Sequence, residues 1–278
     1  MTVATFTVVL ALGSCLAGLV GALTGLGGGV VIVPLLVIAF GVDIRYAIGA
    51  SLVSVIATSS GAAATYVRDG YSNIKVGMVL EIATTVGALC GAMLAPHVPA
   101  NGLAIVFGLV LMYSAYLTGH RGDDAVDRQP PDRLAVALQL DSVYPTPEGE
   151  RPYHVRHVPA GFGLMYIAGV LSGLLGIGSG AVKVLAMDQA MRLPFKVSTT
   201  TSNFMIGVTA AASAGIYLHR GYIDPGLAMP VVLGVLVGST VGARLLTVVK
   251  TGWLRTTFMW VIIALAVEML FSGAMGRL

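Results

Sequence analysis

The sequence predicts an all-α polytopic membrane protein made of two inverted repeats, each with four hydrophobic segments. The first observation is composition: 56% of the 278 residues are hydrophobic and 10% are charged, whereas a soluble domain carries about 25% charged residues. The second is that the apolar segments are long enough to cross a bilayer as helices, which takes about 20 residues. The third is a glycine-rich motif that occurs twice. The predicted segments cover residues 3–40, 46–66, 74–95, 100–119, 160–187, 197–218, 225–249 and 253–273.

The glycine-rich motif lies inside the first segment of each repeat, at Gly25–Gly29 and again 151 residues later at Gly176–Gly180. A glycine inside a helix costs about 1 kcal/mol relative to alanine, so we expect a helix break at each motif. Small residues also allow close helix packing in membranes, and that alternative stays open for any single glycine. Because the motif occurs twice, we interpret it as a break whose N–H groups and positive dipole end face an anion.

The motif belongs to a longer internal repeat. Residues 18–94 align with residues 169–245 without a gap, and 20 of the 77 aligned pairs are identical. The offset stays constant across several loops, which indicates a duplication. We therefore divide the chain into an N-terminal transmembrane repeat at 1–119, a linker at 120–159 and a C-terminal transmembrane repeat at 160–278. The linker is rich in charged residues and in the prolines typical of turns.

The distribution of Lys and Arg predicts the orientation of the repeats. If the first segment of each repeat is a re-entrant helix pair that returns to its starting side, the two sides of the membrane carry 11 and 3 of these residues. If that segment crosses once, the division is 9 to 5. Positive charges concentrate on the cytoplasmic side, so the first arrangement is favoured. It gives the repeats opposite orientations, a common transporter design, and makes the linker cytoplasmic.

Lys183 is the single residue that indicates a function most directly. It lies three positions after Gly180 in an apolar run, and Ile32 occupies the equivalent position in the first repeat. An ammonium group inside the bilayer is costly unless it has a partner or a hydrated cavity. The side chain could instead extend to the cytoplasmic interface, and this alternative remains open. We predict that Lys183 contacts an anionic substrate in one half only.

Small polar side chains begin the next segment, at Ser198–Asn203. Hydroxyls there can cap a helix, but six polar residues exceed what a cap requires. Ser51 aligns with Ser202 in the repeat, and we predict that these groups donate hydrogen bonds to substrate oxygens. The predicted substrate-binding residues are Gly25, Gly27, Gly28, Gly29, Ser51, Gly176, Gly178, Ser179, Gly180, Lys183, Thr200, Thr201, Ser202 and Asn203.

Two acidic residues, Glu81 and Glu268, lie within predicted membrane segments. Ionisable residues at such positions often serve proton transfer, so both are candidates to bind a coupling proton; pairing with a nearby cation is an equal alternative. The sequence contains no catalytic motif and no metal-ligand spacing of His or Cys, so we expect no enzyme activity, metal or cofactor. A net charge of +3 without a basic run argues against a nucleic-acid partner. The expected partners are the lipid bilayer and a small anion.

These motifs resemble the TauE/SafE family of membrane transporters, the sulfite-exporter or toluene-sulfonate-uptake type. The resemblance covers nearly the whole chain apart from 120–159. It implies a secondary transporter in the cytoplasmic membrane of a prokaryote, with sulfite, thiosulfate or an organosulfonate as substrate; an anion channel on the same frame is the alternative. The motifs that carry it are Gly25–Gly29 followed by Pro34-Leu35, Gly49-Ala50-Ser51-Leu52, Arg68-Asp69-Gly70-Tyr71, Gly87 to Ala92, and their equivalents at Gly176–Gly180, Lys196–Asn203 and Gly221-Tyr222.

Overall fold

Two sets of apolar helices, separated in the chain by a small β-hairpin, make up the structure, a computed structural model that describes residues 3–24, 28–68, 70–119, 132–146, 149–246 and 251–276. Helices are expected here because a backbone inside a bilayer must satisfy its own hydrogen bonds. The helices are α1 (Val3–Thr24), α2 (Gly29–Pro34), α3 (Ile44–Arg68), α4 (Ile74–Leu94), α5 (Ala100–Gly119), α6 (Arg133–Ala137), α7 (Val158–Leu175), α8 (Gly180–Leu185), α9 (Phe195–His219), α10 (Pro225–Leu246) and α11 (Thr251–Ala274), and the strands are β1 (Ser142–Thr146) and β2 (Gly149–Tyr153).

Three helical stretches among the described residues are long and apolar enough to cross a membrane: Ile74–His97, Val158–Leu175 and Pro225–Gly242. Each has a mean hydropathy of 1.7 or 1.8. The shorter apolar helices are Thr5–Leu19, Gly29–Ala39, Ile44–Ser60, Ala100–Tyr116 and Ile262–Ala274. The structure therefore agrees with the prediction of a helical membrane protein.

The internal repeat is also seen in where the helices begin and end. Adding 151 to the bounds of α2 and α3 gives those of α8 and α9, and the two π-helical turns that follow α2 and α8, at Leu35–Ala39 and Ala186–Ala190, obey the same offset. The turn glycines Gly70 and Gly221 are also equivalent, and both have φ of +75°. Glycine adopts this left-handed conformation without the steric strain that a side chain would cause.

Helix pairing follows the repeat as well. Helix α1 packs on α10 and its equivalent α7 packs on α4, while α3 pairs with its own equivalent α9. Close approach depends on glycine in both copies. A methyl group at Gly87 would overlap the carbonyl oxygen of Tyr166, and one at the equivalent Gly238 would overlap the carbonyl oxygen of Cys15. Helices that touch through small residues are typical of membrane proteins.

The chain runs back between α1 and α2 and between α7 and α8, so the predicted segments 3–40 and 160–187 are each divided into separate helices. In the first half, the rings of Phe6 and Phe40 lie 5.3 Å apart between centroids. In the second half, the backbone N–H of Arg156, just before α7, donates to the carbonyl oxygen of Met191 at 3.1 Å. The two ends of each broken segment therefore lie side by side.

Helices α5 and α11 occupy equivalent places in the two halves and pack against each other in antiparallel directions. Gly108 of α5 lies against Ala266 and Leu270, whereas Gly273, near the end of α11, lies against Asn101 at the start of α5. Equivalent helices that are related by an axis along the membrane normal would run parallel. The antiparallel direction of this pair therefore bears on whether the two repeats are inverted.

The described part of the linker docks on the start of α4. Nδ2 of Asn73 donates to the carbonyl oxygen of Leu140 and to the hydroxyl oxygen of Tyr153, both at 2.8 Å. Oδ1 of Asn73 caps α4 by accepting from the N–H of Val76 at 3.0 Å. Strands β1 and β2 pair antiparallel, with Ser142 opposite Tyr153. One apolar cluster joins Leu140, Tyr144, Tyr153 and Val155 to Val76, Leu80, Met187, Met191 and Leu193.

Candidate functional site

The two glycine motifs meet where α3 and α9 pack together. The hydroxyl of Ser51 on α3 donates to the carbonyl oxygen of Gly176 at 2.8 Å, which joins the first half to the break of the second. A Cβ atom built on Gly29 would lie 2.7 Å from Oγ of Ser51 and 3.0 Å from that same carbonyl oxygen. Gly178 faces Val55 of α3 and Ile206 of α9. Gly25 and Gly27 lie outside the described residues.

The break of the second half is a compact left-handed turn. Gly176 and Gly178 have φ of +66° and +68°, and Ser179 has φ of +41°. A non-glycine residue in this region costs about 1–2 kcal/mol, and the hydroxyl of Ser179 donates to the carbonyl oxygen of Ala168, which holds it in place. In the first half, the equivalent Gly28 has φ of −63°. The two breaks therefore differ in backbone conformation at the equivalent residues Gly28 and Ser179.

Helix α8 begins at Gly180 and carries Lys183 into the interior. The side chain of Lys183 is fully buried, with 0% exposure. Its Nζ donates to Oγ1 of Thr209 on α9 at 2.6 Å. Lys183 is therefore held inside the protein by α9, which excludes the alternative in which its side chain extends to the interface.

Glu81 of α4 completes a buried chain of polar groups. Its Oε1 accepts from Oγ1 of Thr209 at 2.6 Å and from Oγ1 of Thr85 at 3.2 Å. An ammonium group can only donate hydrogen bonds and a hydroxyl can accept and donate, so Thr209 links the Lys183 cation to the Glu81 anion. Oε2 of Glu81 is buried and has no hydrogen-bond partner among the residues that the structure describes. Ions this deeply buried are tolerated only when they are compensated.

The predicted hydroxyls at the start of α9 contact backbone groups. Thr200 donates to the carbonyl oxygen of Tyr71 at 2.9 Å, and Oγ1 of Thr201 accepts from the N–H of Asn73 at 3.0 Å. Ser202 donates to the carbonyl oxygen of Gly180 at 3.3 Å. These bonds tie α9 to the start of α4 and to α8, more than one helical turn before Thr209. Their role in substrate binding stays a prediction, as does that of Asn203, which is buried nearby.

Glu268 has different surroundings from Glu81. It is exposed on α11, and its Oε1 accepts from Oγ of Ser272 at 3.4 Å. Of the two acidic residues that the sequence predicts as proton sites, only Glu81 is joined to Lys183 through Thr209 among the described residues.

Thr209 is the residue that sequence reasoning missed. Its identity with Thr58 in the repeat was the available signal, but a hydroxyl inside a helix gives no sign of which side chains it joins.

The chain is similar in sequence to known membrane transporters. The chain matches the family model "Sulfite exporter TauE/SafE" over residues 10–269. The "Probable membrane transporter protein YunE" of Bacillus subtilis is 26% identical over 275 residues, which cover 96% of this chain and 98% of YunE. The "Probable membrane transporter protein YdhB" of the same organism is 28% identical over 230 residues, covering 82% and 86%. A third relative, from Methanocaldococcus jannaschii, is 24% identical over 242 residues. No solved structure matches.

Proposed function

Because the chain belongs to the TauE/SafE family of membrane transporters, we propose that it is a secondary transporter of a small sulfur-containing anion, namely sulfite, thiosulfate or an organosulfonate. One observation carries the proposal: Lys183 is a fully buried cation that follows directly on a helix break. Ionisable residues within membranes mark substrate and ion pathways because their burial is otherwise costly. Lys183 would supply the positive charge that a transported anion needs at the centre of the protein.

We assign the anion a position beside Lys183, close to the meeting point of the two glycine motifs. Broken helices that meet at the interface of two repeats are the usual binding place in transporters of this design. The hydroxyls of Ser51, Thr200, Thr201 and Ser202 would then line the path that leads to Lys183. In this proposal the protein is a carrier and has no catalytic role.

We further propose that the repeats are inverted, with a cytoplasmic linker at 120–159 between transmembrane repeats at 1–119 and 160–278. The antiparallel packing of the equivalent helices α5 and α11 supports this orientation. The 11-to-3 division of Lys and Arg supports a cytoplasmic linker in the inner membrane of a prokaryote.

Transport by the purified protein in liposomes tests the proposal. Uptake of radiolabelled sulfite, thiosulfate and an organosulfonate is measured for wild type, for Lys183→Met and for Lys75→Met, which removes an exposed lysine at the start of α4. We expect Lys183→Met to lower uptake of the transported anion about tenfold to hundredfold, the effect of one lost charge-assisted contact, while Lys75→Met transports normally. Equal uptake by wild type and Lys183→Met would contradict the proposal. Unitary currents in planar bilayers would identify a channel instead.

A further inference from the structure

The chain Lys183–Thr209–Glu81 indicates how the site is charged when no anion is bound. We propose that Glu81 is an internal counter-anion that competes with the transported anion for Lys183, and that it gives up Lys183 by taking a proton, so that each anion moves with one proton. This inference rests on the proposed function, since it requires that the anion binds at Lys183.

Thr209 is the residue that positions Lys183 and Glu81 relative to each other. Its single hydroxyl hydrogen has two possible acceptors. Oε1 of Glu81 lies 2.6 Å from the Thr209 hydroxyl and the carbonyl oxygen of Met205 lies 2.9 Å away. An ionised carboxylate is the stronger acceptor, so the hydrogen points to Glu81 while Glu81 is charged. Thr209 then presents its lone pair to Lys183 and holds the ammonium in place.

Protonation of Glu81 reverses this arrangement. A neutral carboxyl group is a weaker acceptor than a carboxylate, so the Thr209 hydrogen turns to Met205 and the attraction between Glu81 and Lys183 is lost. The Lys183 cation is then uncompensated in a buried environment, where a free ion is costly. A small anion that reaches Lys183 removes that cost.

Oε2 of Glu81 is the atom that receives the proton. It is buried, and none of the described residues supplies it with a hydrogen bond, whereas Oε1 already accepts from Thr209 and Thr85. A proton on Oε2 therefore displaces no hydrogen-bond donor from that atom. It arrives from the side on which the anion enters and leaves from the side on which the anion departs, and no bond between heavy atoms changes.

Lys183 is the charged group that faces Glu81. Helix α4 packs on α7 and α9 and ends in a 3₁₀ turn at Ala95–His97, and the hairpin cluster covers its start. The carboxylate contacts Thr85 of its own helix and Thr209 of α9. The remaining charged or titratable residues on these described elements, at helix ends, on exposed faces or in the hairpin, are Lys75, Cys90, His97, Tyr144, Glu150, Arg151, Tyr153, Tyr166, Lys196, Tyr217 and His219.

Charge balance selects the class of substrate. The ammonium of Lys183 and the carboxylate of Glu81 sum to zero, and the same site with one added proton and one bound monoanion also sums to zero. A dianion with one proton would leave a net negative charge inside the protein, which burial disfavours. The positions equivalent to Lys183 and Glu81 hold Ile32 and Val232 and so add no second proton site. We therefore infer electroneutral transport of a monoanion, such as hydrogen sulfite or an organosulfonate, with one proton.

The test uses the full chain in liposomes with an imposed pH gradient or an imposed membrane potential. For wild type, coupling of one proton to one monoanion predicts an accumulation ratio of hydrogen sulfite or organosulfonate that changes about tenfold per pH unit and does not respond to the potential. Glu81→Gln keeps the shape of the carboxyl group but cannot exchange a proton, so it should continue anion exchange, lose accumulation by the pH gradient and respond to the potential. Glu268→Gln tests the other acidic residue and should behave as wild type.

A second measurement requires no variant. A pH indicator inside the liposomes should report about one proton for each anion that enters wild-type vesicles. Uptake that depends on Lys183 but moves no proton would overturn the coupling and leave the proposed function intact. The same conclusion would follow if pH-driven accumulation survives Glu81→Gln or fails in Glu268→Gln. Uptake that is indifferent to Lys183→Met would overturn the proposed function and the coupling with it.

Discussion

The two halves of the protein share a scaffold, but only one of two equivalent sets of three positions carries charged side chains. The second break leads to Lys183 and Thr209, which meet Glu81 of α4 in a buried chain of polar groups. The equivalent positions of the first break hold Ile32, Thr58 and Val232. There the hydroxyl of Thr58 donates to the carbonyl oxygens of Ser54 and Val55 on its own helix, each at 3.1 Å.

This difference separates what the helix break does from what the charge does. In both halves the helices on either side of the motif bring the two ends of the segment together, and Gly29 and Gly176 both allow close helix contact. The charges occur once, although duplication supplied two equivalent places for them. We therefore assign the breaks to the scaffold. We assign the proposed substrate specificity to Lys183 and Glu81, which have apolar equivalents, and to Thr209, whose equivalent Thr58 bonds within its own helix.

The largest expected effect on stability comes from replacing Lys183 and Glu81 by the residues of the equivalent positions. Lys183→Ile alone leaves Glu81 buried without its cation, which should lower the free energy of unfolding by about 3–5 kcal/mol. The double variant Lys183→Ile with Glu81→Val reproduces the residues at the equivalent positions, Ile32 and Val232, and should return to within about 1 kcal/mol of wild type, since apolar replacement of a buried pair is often neutral. Thermal unfolding in detergent measures both. A double variant as unstable as the single one would contradict the pairing of Lys183 with Glu81.

The two equivalent threonines should respond unequally. Thr209→Ala removes a hydroxyl that bonds to two ionised groups, which is worth about 1.5–3 kcal/mol for a charged partner. Thr58→Ala removes only bonds to backbone carbonyls of its own helix and should cost about 1 kcal/mol or less. Comparison of the two melting curves checks the prediction, and equal losses would show that Thr209 does not join the charges.

Two equivalent glycines should respond alike, because they belong to the scaffold. Gly87→Val and Gly238→Val each force a side chain onto a carbonyl oxygen of the neighbouring helix, and overpacking of this kind costs about 1–3 kcal/mol. Gly163 has no atom within 4 Å of an added Cβ, so Gly163→Ala serves as the control with little effect. Destabilisation by one valine variant but not the other would contradict the equivalence of α1–α10 and α7–α4.

The sequence was sufficient to predict the helical membrane class and the family, and the structure has helix boundaries at both glycine motifs. Length, composition and a gapless repeat carry these features because they depend on spacing along one chain. The gapless offset of the alignment recurs in the bounds of α2, α3, α8 and α9. The docking of the linker on Asn73 could not be predicted, because its contacts join positions 67 and 80 residues apart.

The site was less accessible to sequence reasoning. Lys183 was identifiable because a cation in an apolar run is unusual, and Glu81 for the same reason, but nothing in the sequence distinguished Glu81 from Glu268. The difference arises from packing: α9 faces α4 and brings Thr209 within 2.6 Å of both charges. The hydroxyls of Thr200, Thr201 and Ser202 were predicted as substrate contacts, and they contact backbone groups here.

Anion binding by purified protein tests the central claim, that Lys183 holds the substrate, most directly. Thermal unfolding is measured with sulfite, thiosulfate and an organosulfonate for wild type and for the double variant Lys183→Ile with Glu81→Val. An anion that binds the folded protein stabilises it by about 2.7 kcal/mol at a concentration one hundred times its Kd. We predict that the transported anion raises the melting temperature of wild type and leaves that of the double variant unchanged. The same rise in both proteins would contradict the claim.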